Sequence, residues 1–109
     1  MANYSKGDVI LVRYPFTDLS RAKVRPAIAV SAPHPSDDVF IVPLTSKTTS
    51  LRPGEFVMID WKNAGLNVTS PVKRGLFTIH HDLIIKSAGR VTVNDSQTLN
   101  RSLREWLAL

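Results

Sequence analysis

Three short apolar runs in the first half of the chain, separated by turn residues, constrain the fold most. They cover residues 7–14, 26–31 and 39–44, and a proline-rich stretch at 32–37 divides the second run from the third. Short runs of β-branched and other apolar residues bounded by glycine and proline are typical of β-strands. Because no stretch of helical periodicity lies between them, the sequence predicts an antiparallel sheet rather than alternating strands and helices.

The second half of the chain is predicted to contain further strands and then a helix. A polar loop is predicted at residues 45–54, and strands are predicted at 55–60 and 72–79, with an Asn- and Gly-containing connection at 62–65. Toward the C-terminus, apolar residues recur at the spacing of an amphipathic helix, after residues whose side chains can cap its first turn. The apolar stripe is Leu99, Leu103, Trp106 and Leu107, and the candidate N-cap residues are Asn94, Asp95 and Ser96.

Strands this short cannot bury their apolar side chains in one flat sheet without leaving exposed edges. The predicted fold class is therefore mainly β: a small, strongly bent antiparallel β barrel covered by a C-terminal α-helix. With 109 residues, of which 43% are hydrophobic and 21% charged, the chain matches one globular domain spanning residues 1–109.

The amino-acid composition limits the binding partners and the cellular compartment that are expected for this chain. No apolar run approaches the roughly 18 residues of a membrane-spanning helix, and the first residues lack the apolar core of a secretory signal, so we expect a cytoplasmic protein without membrane contact. The absence of cysteine excludes disulfides, thiolate nucleophiles and cysteine-zinc sites. A formal net charge of +5 favours acidic or polyanionic partners, although charge alone does not say which.

The sequence predicts neither a metal ion nor a cofactor. It has no glycine-rich phosphate loop and no dinucleotide-binding motif, and its acidic residues form no cluster typical of a two-metal nuclease. His34 stands alone in the proline turn. His80 and His81 are adjacent, so on a strand their side chains would point to opposite faces.

Basic and hydroxyl residues at the ends of the predicted strands are the remaining candidates. Arg25 directly precedes the second apolar run, and Thr45 and Ser46 directly follow the third. If the two runs pair as a hairpin, Arg25 and Thr45 are neighbours at one end of the sheet. An arginine before a strand is also commonly a solvated charge, and Thr-Ser after a strand a turn cap, so the residues alone leave both interpretations open.

An ordered set of motifs along nearly the whole chain resembles the PemK/MazF family of toxins. The motifs are KGDVILV at residues 6–12, PFTD at 15–18, RPAIAVS at 25–31, VPLTS at 42–46, GL at 65–66, SPV at 70–72 and LFTI at 76–79. The resemblance implies an SH3-like β barrel that forms a homodimer, the toxin of a type II toxin–antitoxin system. It also implies an antitoxin partner with an acidic, flexible C-terminus.

The same resemblance implies an mRNA interferase, a sequence-dependent endoribonuclease that cleaves single-stranded RNA without a metal ion. In that reaction the ribose 2′-OH attacks the adjacent phosphate and leaves a 2′,3′-cyclic phosphate and a 5′-OH. Arg25 matches the catalytic arginine and Thr45 the catalytic threonine. Because a guanidinium stays protonated and binds phosphate through paired donors, we expect Arg25 to stabilise charge rather than carry a proton. The residues expected to contact RNA are Phe16, Thr17, Lys23, Ser46, Lys47, Ser70 and Lys73.

Two other functions stay open at this point. A related family uses the same barrel to inhibit DNA gyrase, and a small basic β barrel can bind RNA without cleaving it. The presence of both Arg25 and Thr45 favours the nuclease over the gyrase inhibitor, while the binding module stays open.

Overall fold

The computed structural model describes residues 4–14, 23–46 and 49–109, and these fold mainly into β-strands. Strands predominate, and a short 3-10 helix and one α-helix complete the described elements. The elements are β1 (Asp8–Tyr14), β2 (Lys23–Ala29), β3 (Asp38–Pro43), β4 (Phe56–Val57), β5 (Pro71–Val72), β6 (Phe77–His80), the 3-10 helix (His81–Leu83), β7 (Ile84–Arg90) and α1 (Val93–Leu107).

Five of the strands form one antiparallel sheet in the order β6-β3-β2-β1-β7, and β4 pairs with β5 in a second, two-stranded sheet. A bridge between Leu44 and Val72 joins the end of β3 to β5 and so connects the two sheets. The predicted mainly β, antiparallel architecture with a C-terminal helix is confirmed.

The connection between β6 and β7 forces the five-stranded sheet to curl. These strands are the two edges of the sheet, and in a flat sheet they would lie about 19 Å apart, since neighbouring strands are about 4.8 Å apart. Only the 3-10 helix joins them, and the step from His80 to Ile84 spans at most about 14 Å. The edges therefore approach each other, and Ile79 of β6 and Ile84 of β7 belong to one apolar cluster.

Buried side chains project from both faces of β1 to β3, which explains why these strands are continuous apolar runs rather than alternating ones. The cluster enclosed by the curl comprises Tyr4, Ile10, Val12, Ala27, Ala29, Val39, Ile41, Ile79 and Ile84. The other face packs against β4, β5 and α1 in a cluster that comprises Val9, Ile28, Val42, Leu44, Met58, Ala64, Leu66, Val72, Val91 and Leu99. Each core strand thus contributes alternate side chains to two cores.

Two predicted strands are shorter than expected, because buried side chains take the backbone groups that a longer strand would pair. The strand predicted at 55–60 is reduced to β4, since the N–H groups of Ile59 and Asp60 donate to the carboxylate of Asp95 (3.0 and 2.9 Å). The strand predicted at 72–79 divides into β5 and β6, since Arg74 donates its N–H to Glu55 (2.7 Å). β7 was not predicted, because it is a largely exposed edge strand with Lys, Ser and Gly residues.

The helix α1 begins earlier than predicted. Its N-cap is Thr92, whose hydroxyl oxygen lies 3.5 Å from the N–H of Asp95, so the predicted caps at 94–96 are wrong and lie within the first turns. The Thr92 hydroxyl donates to Asp60 (2.8 Å), while the Asp95 carboxylate is occupied by the turn at residues 59–60. Side chains at the start of α1 and in that turn therefore bind the two segments to each other.

The C-terminal half of α1 packs on the turn at residues 52–55. Ser102 donates its hydroxyl to the carbonyl of Gly54 (2.8 Å), and the Trp106 indole donates to the carbonyl of Pro53 (3.2 Å). Gly54 has φ +84°, and a Cβ there would collide with the Trp106 ring, so the contact requires glycine. Within the described part of the chain, α1 included, no helix combines the length and apolar character needed to cross a membrane.

Replacing Asp95 by asparagine is expected to lower the free energy of unfolding by about 1–3 kcal/mol, the usual cost of leaving a buried donor unpaired. Asp95 is 1% exposed and accepts two backbone N–H groups, whereas the asparagine amide offers one oxygen and presents its NH₂ to the second donor. Urea unfolding at one fixed protein concentration measures the difference. Asn94→Ala, an exposed change in the same turn, is the control, and an equal loss in both variants would contradict the assignment.

Candidate functional site

The pairing of β2 with β3 brings Arg25 opposite Thr45. Ala27 pairs with Pro43, and one step further Leu44 donates its N–H to the carbonyl of Pro26 (3.2 Å). Continuing this register by one more residue sets Thr45 across from Arg25. Side chains directly opposite each other on antiparallel strands have Cβ atoms about 4.5–5.5 Å apart. The two residues that the sequence singled out therefore lie at the same end of the sheet.

The end of β3 is held on its other side by β5. Thr45 donates its N–H to the carbonyl of Pro71 (3.1 Å), and Lys73 donates its N–H to the carbonyl of Pro43 (3.0 Å). Thr45 is thus fixed between two neighbouring segments although it lies just beyond the strand. Its side chain is half-buried, while Arg25 and Ser46 are exposed.

A cleft of about 370 Å³ opens at this end of the sheet. Among the described residues that line it, Arg25 alone carries a charge, and three others carry hydroxyl groups. The lining residues are Arg25, Pro26, Leu44, Thr45, Ser46, Val68 and Ser70. A guanidinium beside hydroxyl donors is an arrangement suited to binding a phosphate group.

Ser70 contributes to the wall of the cleft rather than to its open surface. The residue is 2% exposed, and its hydroxyl donates to the carbonyl of Val68 (2.9 Å). The Ser70 carbonyl accepts the N–H of Met58 (3.2 Å), which anchors this wall to the core. Val68 remains 55% exposed and presents an apolar surface to the cleft.

The other predicted RNA contacts lie at different distances from the cleft. Lys23 is exposed on β2, two residues before Arg25, so strand alternation puts both on the same face. Lys73 is not among the described lining residues, and its ammonium lies 3.5 Å from a Glu55 carboxylate oxygen. Phe16, Thr17 and Lys47 lie outside the described residues.

Glu55 joins the turn at residues 52–55 to residues 73–74, and it was not among the predicted site residues. Its side chain is 1% exposed and accepts the N–H groups of Arg52 and Arg74 (2.7 Å each), with Lys73 alongside. Desolvation favours the neutral acid, but the two backbone donors and the Lys73 ammonium outweigh it and hold the pKa of Glu55 below its usual range. The turn signature Pro53-Gly54 directly before Glu55 was the available signal.

Pro26, Leu44 and Val68 also line the cleft and were not predicted to do so. Pro26 and Leu44 flank the predicted pair Arg25 and Thr45, so the hairpin pattern could have identified them. Val68 lies in a loop without periodicity, and no sequence signal connects it to this end of the sheet.

The expected orientation of the two adjacent histidines is wrong. His80 ends β6 and His81 begins the 3-10 helix, so the alternation of a strand does not continue from one residue to the next. Their ring centroids lie 4.8 Å apart with an interplanar angle of 68°. The two imidazoles therefore meet at one corner of the molecule rather than on opposite faces.

Comparison with known proteins gives a family and a fold. The sequence model of the family described as "PemK-like, MazF-like toxin of type II toxin-antitoxin system" matches residues 5–107. The chain matches none of the curated proteins compared with it.

Several solved structures superpose on almost the full chain. An endoribonuclease from Mycobacterial species has a TM-score of 0.74 at 23% identity and covers 100% of this chain and 95% of that one. An endoribonuclease in complex with its cognate antitoxin, also from Mycobacterial species, has a TM-score of 0.75 at 21% identity, with 100% and 97% covered. A chain of the MazE-MazF structure from Deinococcus radiodurans has a TM-score of 0.79 at 11% identity, with 100% and 99% covered. At these identities the likeness establishes a shared fold.

Replacing Glu55 by glutamine is expected to lower the free energy of unfolding at pH 7 by about 1.5–3 kcal/mol, the range for hydrogen bonds to charged groups. The lowered pKa means that the folded state binds a proton less readily than the unfolded state, so the contribution of Glu55 is present at neutral pH. It is lost as the pH falls from the ordinary range of a glutamate through the lower value of the folded state.

Urea unfolding of both proteins between pH 7 and the acid range measures this difference. We expect the gap between the wild-type chain and Glu55→Gln to shrink as the pH falls. Glu105→Gln on the exposed face of α1 is the matched control. A gap that stays constant with pH would contradict the role of the ionised carboxylate.

Proposed function

This chain belongs to the family of PemK-like, MazF-like toxins of type II toxin–antitoxin systems, and from that premise we propose that it is an endoribonuclease of single-stranded RNA. The observation that carries the proposal is the cleft in which Arg25 lies across the β2–β3 hairpin from Thr45. Solved structures of the same fold that are named endoribonucleases support it.

The proposed reaction is a transesterification that needs no metal ion. The 2′-oxygen of a ribose attacks the adjacent phosphorus while the bond from phosphorus to the 5′-oxygen breaks, which gives a 2′,3′-cyclic phosphate and a 5′-OH. The 2′-OH loses its proton to water and the departing 5′-oxygen gains one from water, because the cleft is open to solvent at Arg25 and Ser46. The protein mainly has to position the phosphate and stabilise its additional negative charge.

Arg25 supplies that stabilisation. Two parallel N–H donors of its guanidinium match two oxygens of the phosphorane, and the group brings a positive charge to them. It stands exposed at the start of a strand whose next residues are buried, so its backbone is fixed while its side chain reaches the substrate. Donors aimed at charge that develops in the transition state are typically the largest single contribution to rate.

Thr45 and Ser46 orient the reacting groups. Thr45 is held by β5 through its backbone N–H, so its hydroxyl is presented at a fixed place in the cleft. We assign to it a hydrogen bond with the attacking 2′-OH or a phosphate oxygen, and to Ser46 a weaker contact with the same phosphate. Ser70 shapes the wall, and Val68 offers an apolar surface for an unstacked base.

The RNA strand continues from the cleft over basic and aromatic side chains. Lys23 shares a face of β2 with Arg25 and would contact the next phosphate. Phe16, Thr17, Lys47 and Lys73 are proposed to extend this path by stacking on a base and by phosphate contacts.

Arg25→Ala is expected to reduce cleavage by about a hundred- to a thousandfold, the usual effect of removing one such donor. Arg25→Lys keeps the charge but loses the paired donors, and we expect it to restore only part of the rate. The measurement is single-turnover cleavage of a long single-stranded RNA in EDTA, with end-group analysis for cyclic phosphate. Arg101→Ala on the exposed face of α1 is the charge-matched control.

Thr45→Ser and Thr45→Ala separate a hydroxyl role from a packing role in the same assay. We expect the serine variant to stay within a fewfold of the wild-type rate and the alanine variant to fall well below it.

Undiminished cleavage by Arg25→Ala would overturn the proposal. Binding of RNA without fragments would indicate a binding module, and inhibition of gyrase supercoiling in the absence of RNA cleavage would indicate the other class of toxin.

We also propose that the chain forms a homodimer and binds an antitoxin with an acidic, flexible C-terminal segment. The net charge of +5 favours an acidic partner, and structures of this fold include an endoribonuclease with its cognate antitoxin. Exposed apolar side chains, among them Phe40, Leu76 and Leu107 around one groove, support self-association.

Light scattering on the purified chain, alone and with the product of a neighbouring short reading frame, tests both assemblies. We expect twice the chain mass for the protein alone and a larger complex with the antitoxin, accompanied by loss of RNA cleavage. An antitoxin truncated before its acidic segment should leave cleavage intact. A strictly monomeric chain, or full inhibition by the truncated antitoxin, would contradict these proposals.

A further inference from the structure

A group of metal-ligating side chains meets at the corner where β6 ends, away from the cleft. Asp37, His80 and His81 each direct one ligand atom into a common space, and these atoms all lie within 4.8 Å of one another. Two imidazoles and a carboxylate are a donor set that Zn²⁺ binds in proteins.

The backbone fixes the two segments that carry these side chains. Asp38 pairs with His80 at the end of the β3–β6 ladder, and the carbonyl of Asp37 accepts the N–H of His81 (2.9 Å). Asp37 has φ +64°, a left-handed conformation that aspartate tolerates better than most residues. The turn at residues 32–37 and the corner at residues 80–81 therefore keep a constant separation.

Asp82 provides an outer partner for both imidazoles. Its carboxylate oxygens lie 3.5 Å from Nδ1 of His80 and 3.1 Å from Nε2 of His81. Metal-ligating histidines usually donate their second ring N–H to a carboxylate, which selects the tautomer and orients the ring. His81 thus has its second ring nitrogen left for an ion. Nδ1 of His80 also accepts the backbone N–H of Asp82 (3.1 Å), so binding of an ion at Nε2 of His80 moves the ring proton to Nδ1, beside the Asp82 carboxylate.

We propose that Asp37, His80 and His81 form a binding site for a late first-row divalent cation, with Zn²⁺ as the reference ion. Three protein ligands and one water complete a tetrahedral shell, in which ligand atoms lie about 3.4 Å apart. The separation of up to 4.8 Å must therefore shorten by up to about 1.4 Å for tetrahedral coordination. The His80 and His81 side chains are 50% and 31% exposed, so they can rotate without disturbing the core.

The site is independent of the proposed nuclease cleft. It lies at the start of β3, whereas Thr45 lies beyond its end, about 23 Å further at 3.3 Å per residue. An ion there would join the 32–37 turn to the corner that links the two edges of the curled sheet. Bound metal is therefore expected to raise the unfolding temperature and to leave RNA cleavage unchanged.

Calorimetric titration of Zn²⁺ into the untagged, EDTA-dialysed full chain tests the site. We expect saturable binding of one ion per chain in the wild type. Affinity should fall at least tenfold in His80→Ala, His81→Ala and Asp37→Asn, and about ten- to a hundredfold in Asp82→Asn through loss of the outer contact. His34→Ala, which removes a histidine from the same turn but not from the cluster, should bind like the wild type.

Co²⁺ gives a second readout that does not depend on activity or stability. Its visible absorption bands should intensify on binding to the wild-type chain and to His34→Ala, and stay those of the aqueous ion with His81→Ala. Absence of saturable Zn²⁺ binding, wild-type affinity in both His80→Ala and His81→Ala, or loss of binding only in His34→Ala would each overturn the proposal. Circular dichroism of the variants shows that these changes leave the fold intact.

Discussion

The register between β2 and β3 determines most of what this molecule can do. Ile28 opposite Val42 sends both side chains to the core beneath α1, while Ala27 and Ile41 face the core enclosed by the sheet. A slip of one residue would exchange these faces and bury the wrong side chains, so packing on both sides specifies the register strongly. The same register brings Arg25 across from Thr45, so the energy that fixes the core also fixes the geometry of the cleft.

Two buried carboxylates accept backbone N–H groups that have no partner in the β-sheets. Asp95 accepts the N–H groups of the turn at 59–60, and Glu55 accepts those of Arg52 and Arg74. Each ends a strand that the apolar pattern alone would extend, because a charged acceptor competes successfully with a strand partner for the N–H group. These acids are placed where chain segments cross, and Glu55 also lies 3.5 Å from the Lys73 ammonium.

The sequence alone was sufficient to predict an element where one local signal dominates. β1 to β3 and α1 follow from apolar runs and helical period, and the position of Arg25 across from Thr45 follows from the hairpin between β2 and β3. It was insufficient where a distant partner decides: no local pattern near Thr92 reveals that Asp60 and Asp95 bind across more than thirty residues of chain. β7 escaped prediction because an edge strand needs no apolar face, and the meeting of His80 with His81 depends on a helical turn that starts between them.

The cleft and the proposed cation site lie at opposite ends of β3, so a cation bound at one end does not have to disturb the other. The cleft presents a guanidinium and hydroxyl donors, which suit a phosphate, whereas the corner presents imidazoles and a carboxylate, which suit a cation. A divalent ion beside the phosphate would compete with Arg25 for the same oxygens. The separation along β3 is up to about 23 Å, against a Debye length of about 8 Å at physiological ionic strength, so the field of an ion at the corner is strongly screened at the cleft. An ion bound at the corner can therefore link the 32–37 turn to the edge of the sheet without altering the positive charge that Arg25 presents in the cleft.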